Sequence, residues 1–106
     1  MKDLIELSTT CITEEDNKIL DGMAMYHADT FFIPPVRMYS NYGYGYIIGS
    51  LDSSELEEEI DQLREQGFSE DGFIAVMRYA FENKAKLVQL DCDIDNWPDK
   101  LKNHDW

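Results

Sequence analysis

Between Asp3 and Cys11 the chain alternates. Ile5, Leu7, Thr9 and Cys11 fall on one side of an extended backbone, and Leu4, Glu6, Ser8 and Thr10 on the other. A period of two predicts a first strand with the more apolar set on one face. The period then changes. Ile19, Leu20 and Met23 recur at helical spacing behind Thr13-Glu14-Glu15-Asp16, where Thr13 and Asp16 occupy the two places of a capping box, with Asp standing where Glu or Gln is commoner. A helix from about Glu14 is expected, with Gly22 as a candidate stop and residues Met23–Asp29 open between continued helix and turn. The first-turn acids Glu14, Glu15 and Asp16 suit the positive end of the helix dipole and need no other explanation.

Thr30–Ile33 reads as a strand, and Pro34-Pro35 ends it or marks it as an edge. Val36–Tyr39 and Tyr44–Ile48 read as further strand, joined around Ser40-Asn41-Tyr42-Gly43. Asp52-Ser53-Ser54 stops the strand and caps a helix of about Ser54–Gln66, with Leu56, Ile60 and Leu63 inward and Gly67 at C′. Ser69 caps a third helix whose apolar stripe is Phe73, Val76, Met77, Ala80 and Phe81. Leu87–Leu90 is a short, central strand. The tail from Asp91 to Trp106 is mostly loop, pinned by Trp97 and Trp106. The expected fold is α+β: a single mixed or mainly antiparallel sheet of about four strands, with two to three helices packed on it, in one domain spanning residues 1–106.

Within that order, Tyr39–Ser50 stands out. Strand alternation puts Tyr42, Tyr44 and Tyr46 on one face and Gly43, Gly45 and Ile47 on the other. A glycine face lets another backbone approach closely. These tyrosines, with Tyr39, serve either as a sheet face under a helix or as a binding surface.

Composition changes the picture through charge. A chain of 106 residues with 43% hydrophobic and 12% aromatic content is globular, but 22 acids against 9 Lys and Arg give −13. Such a chain repels phosphate backbones and acidic lipid, so direct nucleic-acid and membrane binding are excluded as expectations, and a basic partner is expected. Nine of the acids lie in residues 52–71 beside one base, Arg64. On a helix whose inner stripe is Leu56, Ile60 and Leu63, these carboxylates cover the outer faces. Glu55, Glu57, Glu58, Glu59, Asp61 and Glu65 are the candidate partner-binding acids, with Tyr42, Tyr44 and Tyr46 as apolar anchors. A charge run of this kind also serves as a plain solvated face. The sharper expectation is a phosphate-row mimic that fills a Lys/Arg groove, with affinity that falls as salt rises.

Other chemistry is thin. Asp91-Cys92-Asp93-Ile94-Asp95-Asn96 opens like a calcium loop, yet Asn96 stands where glycine is required and Lys102 where a bidentate Glu is. Cys92 with His27 or His104 forms a nucleophile–base pair only on paper. No phosphate-binding glycine loop, dinucleotide fingerprint, zinc-protease motif or serine elbow occurs. No enzyme activity, catalytic residue, metal or cofactor is expected. Two cysteines far apart, no signal-peptide pattern at Met1–Glu6 and no apolar run of membrane length point to a cytoplasmic protein with reduced thiols, as a monomer or homodimer.

Four segments also carry a resemblance: Ser8-Thr9-Thr10-Cys11-Ile12-Thr13-Glu14-Glu15-Asp16, Phe73-Ile74-Ala75-Val76-Met77-Arg78-Tyr79-Ala80, Leu90-Asp91-Cys92-Asp93 and the closing Asp105-Trp106. Together they resemble a small uncharacterised family of acidic proteins carried by phages and plasmids. The resemblance implies a mobile-element setting and no activity. In that setting a short acidic protein is expected to inhibit host restriction or CRISPR machinery by binding a basic host protein or nucleoprotein complex. The alternative is a small acidic accessory protein that self-associates.

Overall fold

The computed structural model describes residues 3–27, 30–33, 35–42, 45–51 and 53–104, with backbone alone at 24–27, 31 and 53. Five strands form one sheet: β1 (Leu4–Ser8), β2 (Phe31–Ile33), β3 (Val36–Asn41), β4 (Gly45–Gly49) and β5 (Leu87–Asp91). Three helices accompany it: α1 (Glu14–His27), α2 (Leu56–Glu65) and α3 (Phe73–Glu82). The spatial order is β1-β5-β4-β3-β2, with β1 parallel to β5 and every other pair antiparallel. The expected mixed α+β sheet is therefore present, with five strands in place of about four. Each of the five has its counterpart among the strand segments read from the sequence: residues 31–33 and 36–41 count as two strands, folded back on each other with Ile33 paired to Val36. Pro34, expected to guard that edge, lies outside the described residues.

Parity builds the core. Leu7, Val36, Met38, Tyr46, Ile48, Val88 and Leu90 are all buried on one sheet face, and they share a cluster with Leu20 of α1, Ile60 and Leu63 of α2, and Phe73, Ile74, Val76, Met77 and Ala80 of α3. At the start of the middle strand Gly45 must be glycine: a Cβ there would lie 1.9 Å from the Leu90 carbonyl oxygen.

Element ends differ from expectation where side chains compete with the backbone ladder. β1 stops at Ser8, whose hydroxyl oxygen accepts from the Thr10 N–H at 3.2 Å and opens a 3-10 turn over Thr9–Cys11. α1 runs through Gly22 to His27, since nothing at that surface position stops it. A 3-10 turn, Ser53–Glu55, leads into α2 without a side-chain cap at Glu55, and Asp52 lies outside the described residues. Gly67 follows α2 with φ of 99°, as expected of a C′ residue.

The capping box at α1 is present and does more than cap. Asp16 N–H donates to Thr13 Oγ1 at 3.0 Å, and Thr13 N–H donates to the Asp16 carboxylate at 3.0 Å. The same carboxylate, fully buried, accepts from Ser69 N–H (2.9 Å), Ser69 Oγ (2.8 Å) and Phe73 N–H (2.8 Å). Asp16 therefore caps α3 from another helix, the part expected of Ser69. A Cβ at Gly72 would come within 2.2 Å of that carboxylate, so glycine is required beside it.

The tail wraps back on the start of the chain. Trp97 Nε1 donates to Thr10 Oγ1 at 2.7 Å, His104 N–H donates to the Thr10 carbonyl at 2.8 Å, and Leu101 is buried. Trp97 pins the tail as expected, although 38% of it stays exposed. Trp106 lies outside the described residues.

Candidate functional site

Successive residues of an α-helix turn by ~100°, which sorts the acids of α2. Leu56, Ile60 and Leu63 face the core. Glu57, Asp61 and Arg64 share one flank, Glu58 and Glu65 point away from the core, and Glu55 and Glu59 share the other flank. Glu55, Glu57, Glu58, Asp61 and Glu65 are exposed. Arg64 bridges Asp61 (2.6 Å) and Glu70, and its guanidinium holds the Glu70 carboxyl below the usual range. Among the described residues no ion pair reaches Glu55, Glu57, Glu58 or Glu65.

Glu59 corrects the expectation of a fully outward row. It is buried, and its carboxylate accepts from Arg37 Nη2 of β3 at 3.0 Å. The same guanidinium donates to the carbonyls of Pro35 and Ser50 and lies 5.0 Å from the centre of the Phe32 ring. Helical geometry puts Glu59 beside the inner stripe, one position from Ile60 and four from Leu63. An inward carboxylate needs a cation, and Arg37 supplies it.

The tyrosines do not form a row. Tyr46 is buried, and its hydroxyl donates to Asp21 and reaches Asn17 Oδ1 at 2.8 Å under α1. Burial, reinforced by the bond to Asp21, pushes this phenol well above its ordinary pKa. Tyr42 lies on the opposite sheet face: its hydroxyl donates to Asp91 at 2.5 Å and accepts from Gln89 Nε2 at 2.8 Å, residues whose neighbours Val88 and Leu90 point inward. β3 ends at Asn41 and β4 begins only at Gly45, so Tyr42 and Tyr46 do not share one continuous strand and alternation does not run between them. Tyr44 lies outside the described residues. Phe32, at 60% exposure, is the exposed aromatic that sequence reasoning missed, whereas Tyr39, already among the candidate binding tyrosines, is 56% exposed. The strand pattern alone placed them, but their lack of a covering helix is a tertiary fact.

Asp91, Cys92 and Asp93 bring three ligand atoms within 4.8 Å of one another. Both Asp91 oxygens already accept, one from Tyr42 and one from the Asp93 N–H at 2.7 Å, and these bonds hold its pKa below the usual carboxylate range. The arrangement is that of a self-satisfied turn at a strand end. The Cys92 thiol is held up by partial loss of water and by its aspartate neighbours, whereas burial pushes Cys11 up to about 11. Neither thiol is poised as a nucleophile. The His104 ring bonds the Asp71 carbonyl at 2.9 Å, and the side chain of His27 lies outside the described residues.

The fold and surface define a small acidic α+β domain whose outward features are carboxylates and aromatics. The chain belongs to a family of unknown function: residues 4–106 match the sequence model of the DUF5983 C-terminal domain. No curated protein and no solved structure matches it. Among the described residues no helix is long and apolar enough to cross a membrane.

Proposed function

We propose that this protein is a non-enzymatic binding module that presses the outward acids of α2 onto a basic, nucleic-acid-handling host complex and so inhibits it. The setting is a phage or plasmid and the host cytoplasm, and the action is of the anti-restriction or anti-CRISPR type. One observation carries the reading: Glu55, Glu57, Glu58 and Glu65 are exposed with no ion pair among the described residues. A Lys/Arg surface built for phosphates offers the missing counter-charge, and α2 imitates a phosphate row on it. Asp61 contributes by exchanging Arg64 for a partner cation. Glu59 and Tyr46 support the surface from inside, and Tyr42 stands at the opposite sheet face.

The test is capture of tagged protein from host lysate at low and high salt, paired with the variant Glu55→Lys/Glu58→Lys. The expected result is a basic nuclease or guide-RNA complex held at low salt, released at high salt, displaced by DNA and lost in the variant. Capture of the same complex by the variant with unchanged affinity rejects the electrostatic reading.

The exposure of Phe32 and Tyr39 favours a second reading, an accessory protein that self-associates through that face. A mass by light scattering that rises with concentration supports it, and a strict monomer removes it.

A further inference from the structure

The outer edge of β1 is half finished. Asp3 C=O accepts from Leu87 N–H at 2.9 Å and Leu4 pairs with Leu87, so the odd-numbered residues of β1 bond to β5. The N–H and C=O groups of Leu4, Glu6 and Ser8 consequently point away from the sheet. Asn96 takes two of these outward groups. Its backbone carbonyl accepts from Ser8 N–H at 3.2 Å, and its side-chain amide donates to the Glu6 carbonyl at 2.9 Å. One tail residue thus imitates two rungs of an added strand. The imitation ends there. Among the described residues nothing takes the Leu4 N–H and C=O or the Glu6 N–H, which open into a cleft of about 810 Å³, walled by Tyr79 and Asn83 of the α3 end and closed by Asn96.

We infer that this cleft docks an extended basic segment of a partner protein, added as a further strand beside β1. The bonds made by Asn96 show the donor and acceptor pattern that the edge takes. Parity then sets the side chains of the guest. Those facing the helices land on half-buried Ile5 and Tyr79 and are apolar. Those on the other face lie beside Leu4 and the exposed carboxylate of Glu6, and are Lys or Arg, with stems on Leu4 and charge at Glu6. The open edge covers about three residues, ~10 Å, which suits a short linear segment. The inference is independent of α2, because it uses no residue of that helix.

The probe is an acetylated, amidated, fluorescein-labelled hexapeptide of alternating lysine and valine, followed by anisotropy and by amide shifts of the full chain. Binding with the largest shifts at Leu4 and Glu6 is expected. The same peptide methylated at every backbone nitrogen keeps its charge and loses its donors, and binds about tenfold more weakly or worse. Leu4→Pro removes an outward N–H without touching the β1–β5 ladder and gives a similar loss of about tenfold. Equal binding of the methylated peptide, shifts centred on α2, or no binding at millimolar peptide overturns the inference. So do shifts of Leu4 and Glu6 that depend on protein concentration alone, which make a second copy the occupant.

Discussion

Glu14-Glu15-Asp16 and Glu57-Glu58-Glu59 hold the same place in two helices, the first turn, and each triplet sends its third acid inside. What they meet there differs. Asp16 is surrounded by backbone N–H groups and a hydroxyl from the loop before α3, and these bonds join two helices. Glu59 meets a guanidinium from a strand. The first two acids of each triplet stay in water, where Glu14 pairs with an exposed Lys18 at 3.6 Å. The position of a carboxylate relative to the apolar stripe decides whether it builds the fold or remains available to a partner. Counting acids along the sequence does not distinguish these uses.

The comparison breaks most sharply at Asp16. Asp16→Ala strands the Ser69 and Phe73 N–H groups without their acceptor and is expected to cost about 3–5 kcal/mol, read as urea midpoint. Asp16→Asn should recover part of that, since it keeps one acceptor oxygen. Glu59→Ala leaves Arg37, still about a quarter exposed, without its counter-ion. A loss of about 1–3 kcal/mol is expected, and the double variant with Arg37→Met should lose less than the sum of the single changes.

Tyr46→Phe removes one buried donor and should cost about 1–2 kcal/mol at neutral pH. The fold favours the neutral phenol, so its contribution is complete below the usual tyrosine value of about 10 and is lost as pH rises beyond it. The wild type should therefore lose stability above about pH 10 more steeply than Tyr46→Phe, as followed by circular dichroism. The smallest effect belongs to the outward acids. Glu55→Lys/Glu58→Lys should move stability by about 0.5 kcal/mol or less in thermal melts, because these side chains are exposed and make no ion pair among the described residues. A large loss there would erase the distinction between structural and available carboxylates.

The two helical stripes and β5 were legible because their apolar spacing is regular, and the capping box because Thr13 and Asp16 are three residues apart. The tyrosine row failed for a local reason. Alternation holds only inside one continuous strand, and Tyr42 lies beyond the end of β3 at Asn41 while Tyr46 belongs to β4. Phe32 went unremarked as surface, and Tyr39 stayed open between covered face and binding surface, because nothing in a strand pattern says which face a helix will cover. The open edge of β1 was equally hidden, since the parallel pairing with β5 joins residues more than eighty apart.

By itself the chain's order of apolar and polar residues determined the α+β class, the three helices, the inward stripes and the concentration of charge on α2. These are local quantities, set by spacing within a few turns or strand residues. Only the tertiary structure decided that Asp16 caps α3, that Glu59 is spent on Arg37, that Tyr42 and Tyr46 part company, and that Asn96 stops halfway along β1. Each of these depends on which distant backbone or charge arrives beside a side chain, and burial gives such a meeting its energetic weight.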